Sequence, residues 1–185
     1  MWKSPLLRAF FVRQKLWEVA ELIKVMSKKV SVLLGVIVSV LIAQMAGIIG
    51  SFFTFSSIQS WYVFLEKPFF APPNWLFAPA WITLYTLMGI AAFLVWQKRG
   101  EPGVKKALWL YGVQLVLNAL WSVIFFGLQN PFLAFLLILA LWLLIVLVTV
   151  KFWEIRKVAG ILFVPYIAWV SFAAILNFAI WRLNV

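Results

Sequence analysis

Residues 61–89 read WYVFLEKPFFAPPNWLFAPAWITLYTLMG, and the rest of the chain is organised around them. Four prolines, Pro68, Pro72, Pro73 and Pro79, fall between two long apolar segments. Proline lacks the backbone donor that a helix interior needs and pushes its predecessor toward extended geometry, so residues 66–79 do not form one regular helix. The stretch reads as an ordered, aromatic-rich loop feeding a helix that begins near Pro79, where a first-turn proline fits. Trp61, Tyr62, Trp75, Trp81 and Tyr85 lie along it, and Glu66 and Lys67 are its only charges. Beside a membrane, such a loop suits a lid over an apolar ligand.

The composition supplies the membrane. Hydrophobic residues make up 66% of the 185 and charged residues 11%, with a mean hydropathy of +1.06. A soluble domain of this size leaves much of its surface in water and cannot hide that share of apolar groups. The class is therefore integral membrane protein. Cysteine and histidine are both absent. Without them there is no disulfide framework, and zinc sites, haem ligation and Ser–His or Cys–His catalysis lose their usual groups. The expectation is no required cofactor, no metal and no conventional enzyme activity. A formal charge of +11 raises nucleic acid as a partner, but the placement of the charges argues for membrane topology instead.

Residues 1–29 hold Lys3, Arg8, Arg13, Lys15, Lys24, Lys28 and Lys29 against Glu18 and Glu21. Val12, Leu16, Val19, Ile23 and Met26 recur at helical spacing, which describes a basic amphipathic extension lying on an anionic leaflet, with a regulatory or targeting tail as the alternative. Residues 30–185 form the membrane domain. Apolar segments of bilayer length occur at about 30–50, 79–97, 107–126, 132–150 and 158–181. The fold expected is all-α: a bundle of five transmembrane helices with the Pro/Trp-rich loop ordered between the first two. No segments alternate with period two, which excludes a β-barrel. Gly35, Ser39, Ala43 and Gly47 make a small-residue stripe on the first span. Such a stripe serves packing within the chain or homodimerisation equally well.

Five spans put the two termini on opposite sides. Of the 16 Lys and Arg, all but Lys67 and Arg182 fall in the N-terminal tail or in the connections holding Lys98, Arg99, Lys105 and Lys106, and Lys151, Arg156 and Lys157. The positive-inside rule then places the N-terminus in the cytoplasm, and the loop and C-terminus outside.

Polar groups inside spans need partners, because an unpaired amide in hydrocarbon costs several kcal/mol. Asn118 in span three and Asn177 in span five are either interhelical glue or polar handles in an aromatic pocket. Trp2, Trp17, Trp61 and Trp181 suit an interfacial belt. Trp81, Trp121 and Trp169 each share a helix face with a polar residue instead, and an aromatic cavity with a few hydrogen-bonding groups is the usual form of an apolar-ligand site.

The blocks WYVFLEKPFFAPPNWLFAPAW (61–81), LYTLMG (84–89), QLVLNALWSVIFFG (114–127) and PYIAWVSFAAILNFAIWRLN (165–184) stand in order on successive spans. In them the chain resembles the tryptophan-rich sensory protein and translocator protein family (TspO/MBR, also called peripheral benzodiazepine receptor-like). The resemblance covers about residues 30–184. It implies a five-helix bundle, commonly a homodimer in the lipid bilayer, that binds tetrapyrroles such as protoporphyrin IX and other flat hydrophobic molecules. It also implies a receptor, sensor or transporter in tetrapyrrole regulation or stress response, in a bacterial cell membrane. Carried over by position, the ligand site uses Tyr62, Phe77, Ala78, Trp81, Asn118, Trp121, Trp169, Ala173 and Leu176. The lid is built of Trp61, Lys67, Pro68, Pro72 and Pro73.

Indole faces suit a porphyrin plane, and its propionates want cations or amide donors, for which Lys67 and Arg182 are the candidates on that side. The missing His and Cys favour a metal-free porphyrin as ligand. Two departures stand out. Many members carry an acid early in span four, where this chain is apolar around Leu137, and the sterol motif of animal members has tyrosine where this chain has Phe178. Two alternative functions remain beside the ligand-binding one. One is light-dependent porphyrin degradation through Trp81 and Trp169, and the other is a structural or partner-regulating membrane protein with no dedicated ligand.

Overall fold

A computed structural model describes the backbone of residues 5–185 and the side chains of residues 13–185. Trp2 and Lys3, and the side chains of Arg8 and Val12, lie outside the described residues. The chain divides into two packing units, residues 1–37 and residues 38–185.

Among the described residues the secondary structure is helical throughout, and five helices are long and apolar enough to cross a membrane. Helix α1 runs Pro5–Ile58, α2 Phe77–Trp96, α3 Val104–Ser122, α4 Pro131–Ile155 and α5 Lys157–Leu183. Helix α1 carries no break at residues 29–30, where the sequence suggested a boundary between extension and span. Within residues 13–37 the apolar side chains are largely exposed.

The unit formed by residues 38–185 is held together by small residues. In lipid the hydrophobic effect does not drive helices together, so close van der Waals contact carries more of the association. Gly89 on α2 meets the α1 backbone so closely that an added Cβ would lie 2.5 Å from Val40 Cα and 2.9 Å from the Ser39 carbonyl oxygen. Ala43, Ala91, Ala107, Ala134 and Ala159 are fully buried. Ser39, Ala43 and Gly47 of the small-residue stripe therefore face this chain's own α2, where the Tyr85 ring covers Gly47. Aliphatic groups such as Leu143, Val116 and Ile175 point outward, as lipid requires.

The helix ends follow local chemistry. Asn130 caps α4 by accepting from the Leu133 N–H at 3.0 Å, and Pro131 takes the first helical position. The expected polar connection 151–157 shrinks to one extended residue, Arg156. The Lys151–Glu154 pair at 2.7 Å joins residues three apart, a spacing that continues a helix. Arg156 Nη1 donates to Gln97 Oε1 at 2.9 Å and so joins this turn to the end of α2. The loop from Gln59 to Pro73 is ordered, with one 3₁₀ turn at Tyr62–Phe64 and another at Asn74–Leu76 leading directly into α2. Pro79 lies in the first turn of α2, two residues inside a start at Phe77.

Candidate functional site

Helix α3 does not end as an α-helix. Its last turn, Val123–Gly127, widens to a π-turn in which Leu128 N–H reaches the Val123 carbonyl at 2.9 Å. Such single π-turns recur at functional sites because they rotate the side chains that follow. Here Ser57 of α1 donates to the Phe126 carbonyl at 2.6 Å. Gly127 admits the Phe53 ring, to which an added Cβ would come within 2.8 Å. Phe125 and Phe126 are thereby turned inward beside Trp121, which stacks on Phe125 at 5.1 Å.

These residues form one wall of a cavity of about 370 Å³ inside the membrane unit. Helix α2 contributes Phe77, Ala78, Trp81 and Tyr85; helix α5 contributes Trp169, Ala173, Leu176 and Asn177. Helix α1 closes the remaining side with Gln44, Gly47, Ser51 and Thr54, and the loop adds Tyr62 and Asn74. The volume falls in the range of small-molecule sites. Trp81 stacks on Tyr85 with centroids 5.4 Å apart, and Phe77 meets the Trp169 ring edge-on at 6.1 Å. None of the lining residues is charged among those described. The same residues include no group of three metal-ligating side chains.

The site residues expected from the sequence separate into those on the wall and those behind it. Tyr62, Phe77, Ala78, Trp81, Trp121, Trp169, Ala173 and Leu176 all line the cavity. Asn118 does not. It is 3% exposed, and its amide is used on both sides: Tyr85 donates to Oδ1, and Nδ2 donates to the Tyr166 hydroxyl at 2.7 Å. The Tyr166 hydroxyl in turn donates to Gln114 Oε1 at 2.8 Å. The four groups Tyr85, Asn118, Tyr166 and Gln114 form a buried polar chain that starts at the wall, and Asn118 reaches the cavity only through Tyr85. A buried amide with both ends satisfied is the arrangement an apolar surrounding demands.

The expected lid is likewise one layer removed. Trp61, Lys67, Pro68, Pro72 and Pro73 do not line the cavity. Trp61 meets Phe125 edge-on at 5.6 Å, and the Lys67 ammonium sits 4.7 Å above the Tyr62 ring while donating to the Val63 and Leu65 carbonyls. Tyr62 and Asn74 are thus the loop's contacts with the cavity, and Lys67 stands behind Tyr62. Burial pushes the Tyr62 phenol above its ordinary pKa of 10.0, which keeps it neutral and able to donate.

Two parts of the site go beyond the sequence expectation. The α1 wall is one: Gln44, Gly47, Ser51 and Thr54 lie at near-helical spacing, a signal the small-residue stripe overshadowed. Gln44 Nε2 donates to the Ile82 carbonyl at 3.0 Å and to Thr86 Oγ1 at 3.2 Å, holding α1 against α2. Phe125 and Phe126 are the second, because the π-turn shifts the helical phase that sequence spacing assumes. Asn177, expected as interhelical glue or a polar handle, lines the cavity. Its Oδ1 accepts from the Trp121 indole at 3.1 Å while its Nδ2 donates to the Pro131 carbonyl at 2.8 Å, so it fixes an indole of the wall as well as joining helices.

Comparison with known proteins agrees with this architecture. The model of the TspO/MBR family matches residues 39–182. A tryptophan-rich protein TspO of Archaeoglobus fulgidus is 45% identical over 82% of this chain and 98% of its own length. Protein CrtK of Rhodobacter capsulatus is 43% identical over 75% of this chain and 86% of its own. The human translocator protein is 37% identical over 74% of this chain and 82% of its own.

Proposed function

The chain belongs to the TspO/MBR family, and from that premise we propose that it is a membrane receptor or sensor whose ligand is a flat, largely apolar molecule of the tetrapyrrole class, such as protoporphyrin IX. The observation that carries this reading is the cavity wall. Trp81, Trp121 and Trp169 surround one uncharged space of about 370 Å³, with Phe77, Tyr62 and Phe125 between them. Indole rings bury large flat area and favour stacked or edge-on partners, the geometry a conjugated macrocycle offers. Uncharged polar groups, among them Gln44, Ser51, Asn74 and Asn177, stand between the aromatic and aliphatic ones, which suits a ligand with an apolar body and a few polar edges. A carboxylate at the loop end would come within reach of Lys67 once Tyr62 shifts. In this reading the loop covers the outer mouth of the cavity, with the N-terminus cytoplasmic and the C-terminus outside.

Titration of the extracted protein with protoporphyrin IX tests the proposal. Saturable quenching of tryptophan fluorescence is expected, weakened in Trp81→Ala. Linear quenching equal to that of protein-free micelles would sink it.

One observation favours a second reading, light-driven breakdown of the bound porphyrin: Trp81 and Trp169 line the same cavity. Illumination should then bleach the complex more slowly in Trp81→Phe and Trp169→Phe. Equal bleaching in those variants would leave only the receptor.

A further inference from the structure

We propose that the cavity is loaded sideways from the lipid, through a gap between α1 and α2 in the half of the bilayer that carries the loop. Given the receptor reading above, on which this rests, the ligand is a molecule dissolved among acyl chains rather than one arriving from water. The gap follows from the course of α1. Up to Gly47 this helix leans on α2: Val40 meets Gly89, Gln44 bonds to Ile82 and Thr86, and the Tyr85 ring covers Gly47. One turn nearer the loop it leans on α3 instead. Gly50 packs against Ser122, whose Oγ an added Cβ would approach to 2.8 Å, Phe53 fits against Gly127, and Ser57 donates to the Phe126 carbonyl. Glycine on α1 permits both approaches, since neither leaves room for a side chain. Two rails therefore diverge from the Gln44–Ile82 bond: Ile48, Ser51 and Phe55 along α1, and Ile82, Ala78 and Asn74 back along the start of α2.

The cavity reaches the molecular surface along these rails. Among the described residues that line it, the exposed ones are Ile48 and Phe55 on one rail and Ile82, Ala78 and Asn74 on the other. Ile48 is 48% exposed, Ile82 58% and Phe55 81%, although all three also face the cavity. The lining residues of α3 and α5 are all buried or half-buried. Tyr62, where the loop meets the cavity, is buried as well.

The chemistry of the rails suits hydrocarbon. Ser51 donates to the Ile48 carbonyl at 2.7 Å and Thr54 to the Gly50 carbonyl at 3.0 Å, so both hydroxyls give their protons back to their own helix. Neither meets lipid with an unpaired donor, which the bilayer core would penalise. Gln44 spends its amide donors on the Ile82 carbonyl and Thr86 Oγ1, and so ties the rails together at their inner end. Asn74, the polar group at the open end, stands next to exposed Trp75, a residue type that favours the membrane interface. A flat apolar molecule partitions out of water into the bilayer, so an opening on this side meets a far higher ligand concentration than an aqueous mouth does.

Reversible cross-linking of the full chain in proteoliposomes tests the route. The protein has no cysteine, so introduced pairs of thiols are unique. Ile48→Cys with Ile82→Cys, joined by a short bis-methanethiosulfonate, ties the rails together. Glu66→Cys with Asn184→Cys, joined in the same way, ties the loop to the end of α5, where the two residues already meet. Protoporphyrin IX is then added and the quenching of tryptophan fluorescence followed in time. Tying the rails should slow the quenching at least tenfold, with recovery when the linker is reduced, and tying the loop should leave the rate unchanged. The reverse pattern, or equal rates with and without the rail tie, would overturn lateral loading while saturable quenching of the parent at equilibrium still upholds the receptor. Absence of that saturable quenching in the parent would remove both.

Discussion

The side chain of Asn184 and the backbone of Glu66 hold each other by two hydrogen bonds. Glu66 N–H donates to Asn184 Oδ1 at 2.9 Å, and Asn184 Nδ2 donates to the Glu66 carbonyl at 2.9 Å. The same Nδ2 also donates to the Ile180 carbonyl at 2.8 Å, so one amide ends α5 and fastens the loop to it. Asn184→Ala removes all three bonds. Both residues are at least partly exposed, and exposed bonds contribute about 1 kcal/mol or less, so global stability should change little. Amide hydrogen exchange across residues 62–73 should rise severalfold, and bound porphyrin should leave faster. Unchanged protection of the loop would show that the clasp does not hold it.

Two glycines predict opposite outcomes for one substitution. Gly89→Ala drives a Cβ against the α1 backbone at Val40, which cannot yield as a flexible side chain would. Overpacking of this kind costs about 1–3 kcal/mol, more than the roughly 1 kcal/mol that alanine returns in helix propensity. Gly112 is exposed, and an added Cβ there meets nothing within 4 Å. Thermal unfolding in detergent should therefore show a lower midpoint for Gly89→Ala and an equal or higher one for Gly112→Ala.

The five spans and the ordered loop were legible because hydropathy and proline act locally, and a helix face shared with a polar residue set Trp81, Trp121 and Trp169 apart from an interfacial belt. What lay beyond the sequence depends on contacts between distant segments. Polarity marks Asn118 as buried, but only the approach of Tyr85 and Tyr166 settles that its amide is consumed behind the wall. Helical spacing predicts inward faces for regular helices, and the π-turn at Val123–Gly127 breaks that assumption for Phe125 and Phe126. The charges of residues 151–157 spell a seven-residue α4–α5 connection, whereas Lys151 and Glu154 pair along a continuing helix.

Tyr62 gives the loop a dependence on alkaline pH. It is 5% exposed, and burial raises its phenol above 10.0, so the folded state prefers the neutral form. An acid group with a raised folded pKa adds stability that is fully present below the unfolded value and lost as pH rises through the folded one. Porphyrin affinity and loop protection should be flat from about pH 7 to 9 and fall above about pH 10, where an unfolded phenol ionises. Tyr62→Phe should remove that fall. A Tyr62→Phe profile identical to that of the parent would assign the alkaline loss to another group.

Asn118 and Trp81 separate support of the wall from the wall itself. Asn118→Leu deprives the Tyr85 hydroxyl of its acceptor and the Tyr166 hydroxyl of a donor. Leaving buried polar groups unpaired costs about 1–3 kcal/mol each, so its unfolding midpoint should drop clearly. Its effect on porphyrin affinity should be secondary, transmitted through the Trp81–Tyr85 stack. Trp81→Ala removes a ring that faces the cavity and meets the buried chain by ring contacts alone, stacked on Tyr85 at 5.4 Å and edge-on against Tyr166 at 6.3 Å. It should weaken affinity by about tenfold, equivalent to about 1.4 kcal/mol, with the smaller change in midpoint. The measurement is the pair of constants for each variant, a dissociation constant by fluorescence and a midpoint by thermal unfolding. If Asn118→Leu kept its midpoint and lost the ligand, the amide would have to reach the cavity directly, and the buried chain Tyr85–Asn118–Tyr166–Gln114 would have to open when ligand binds.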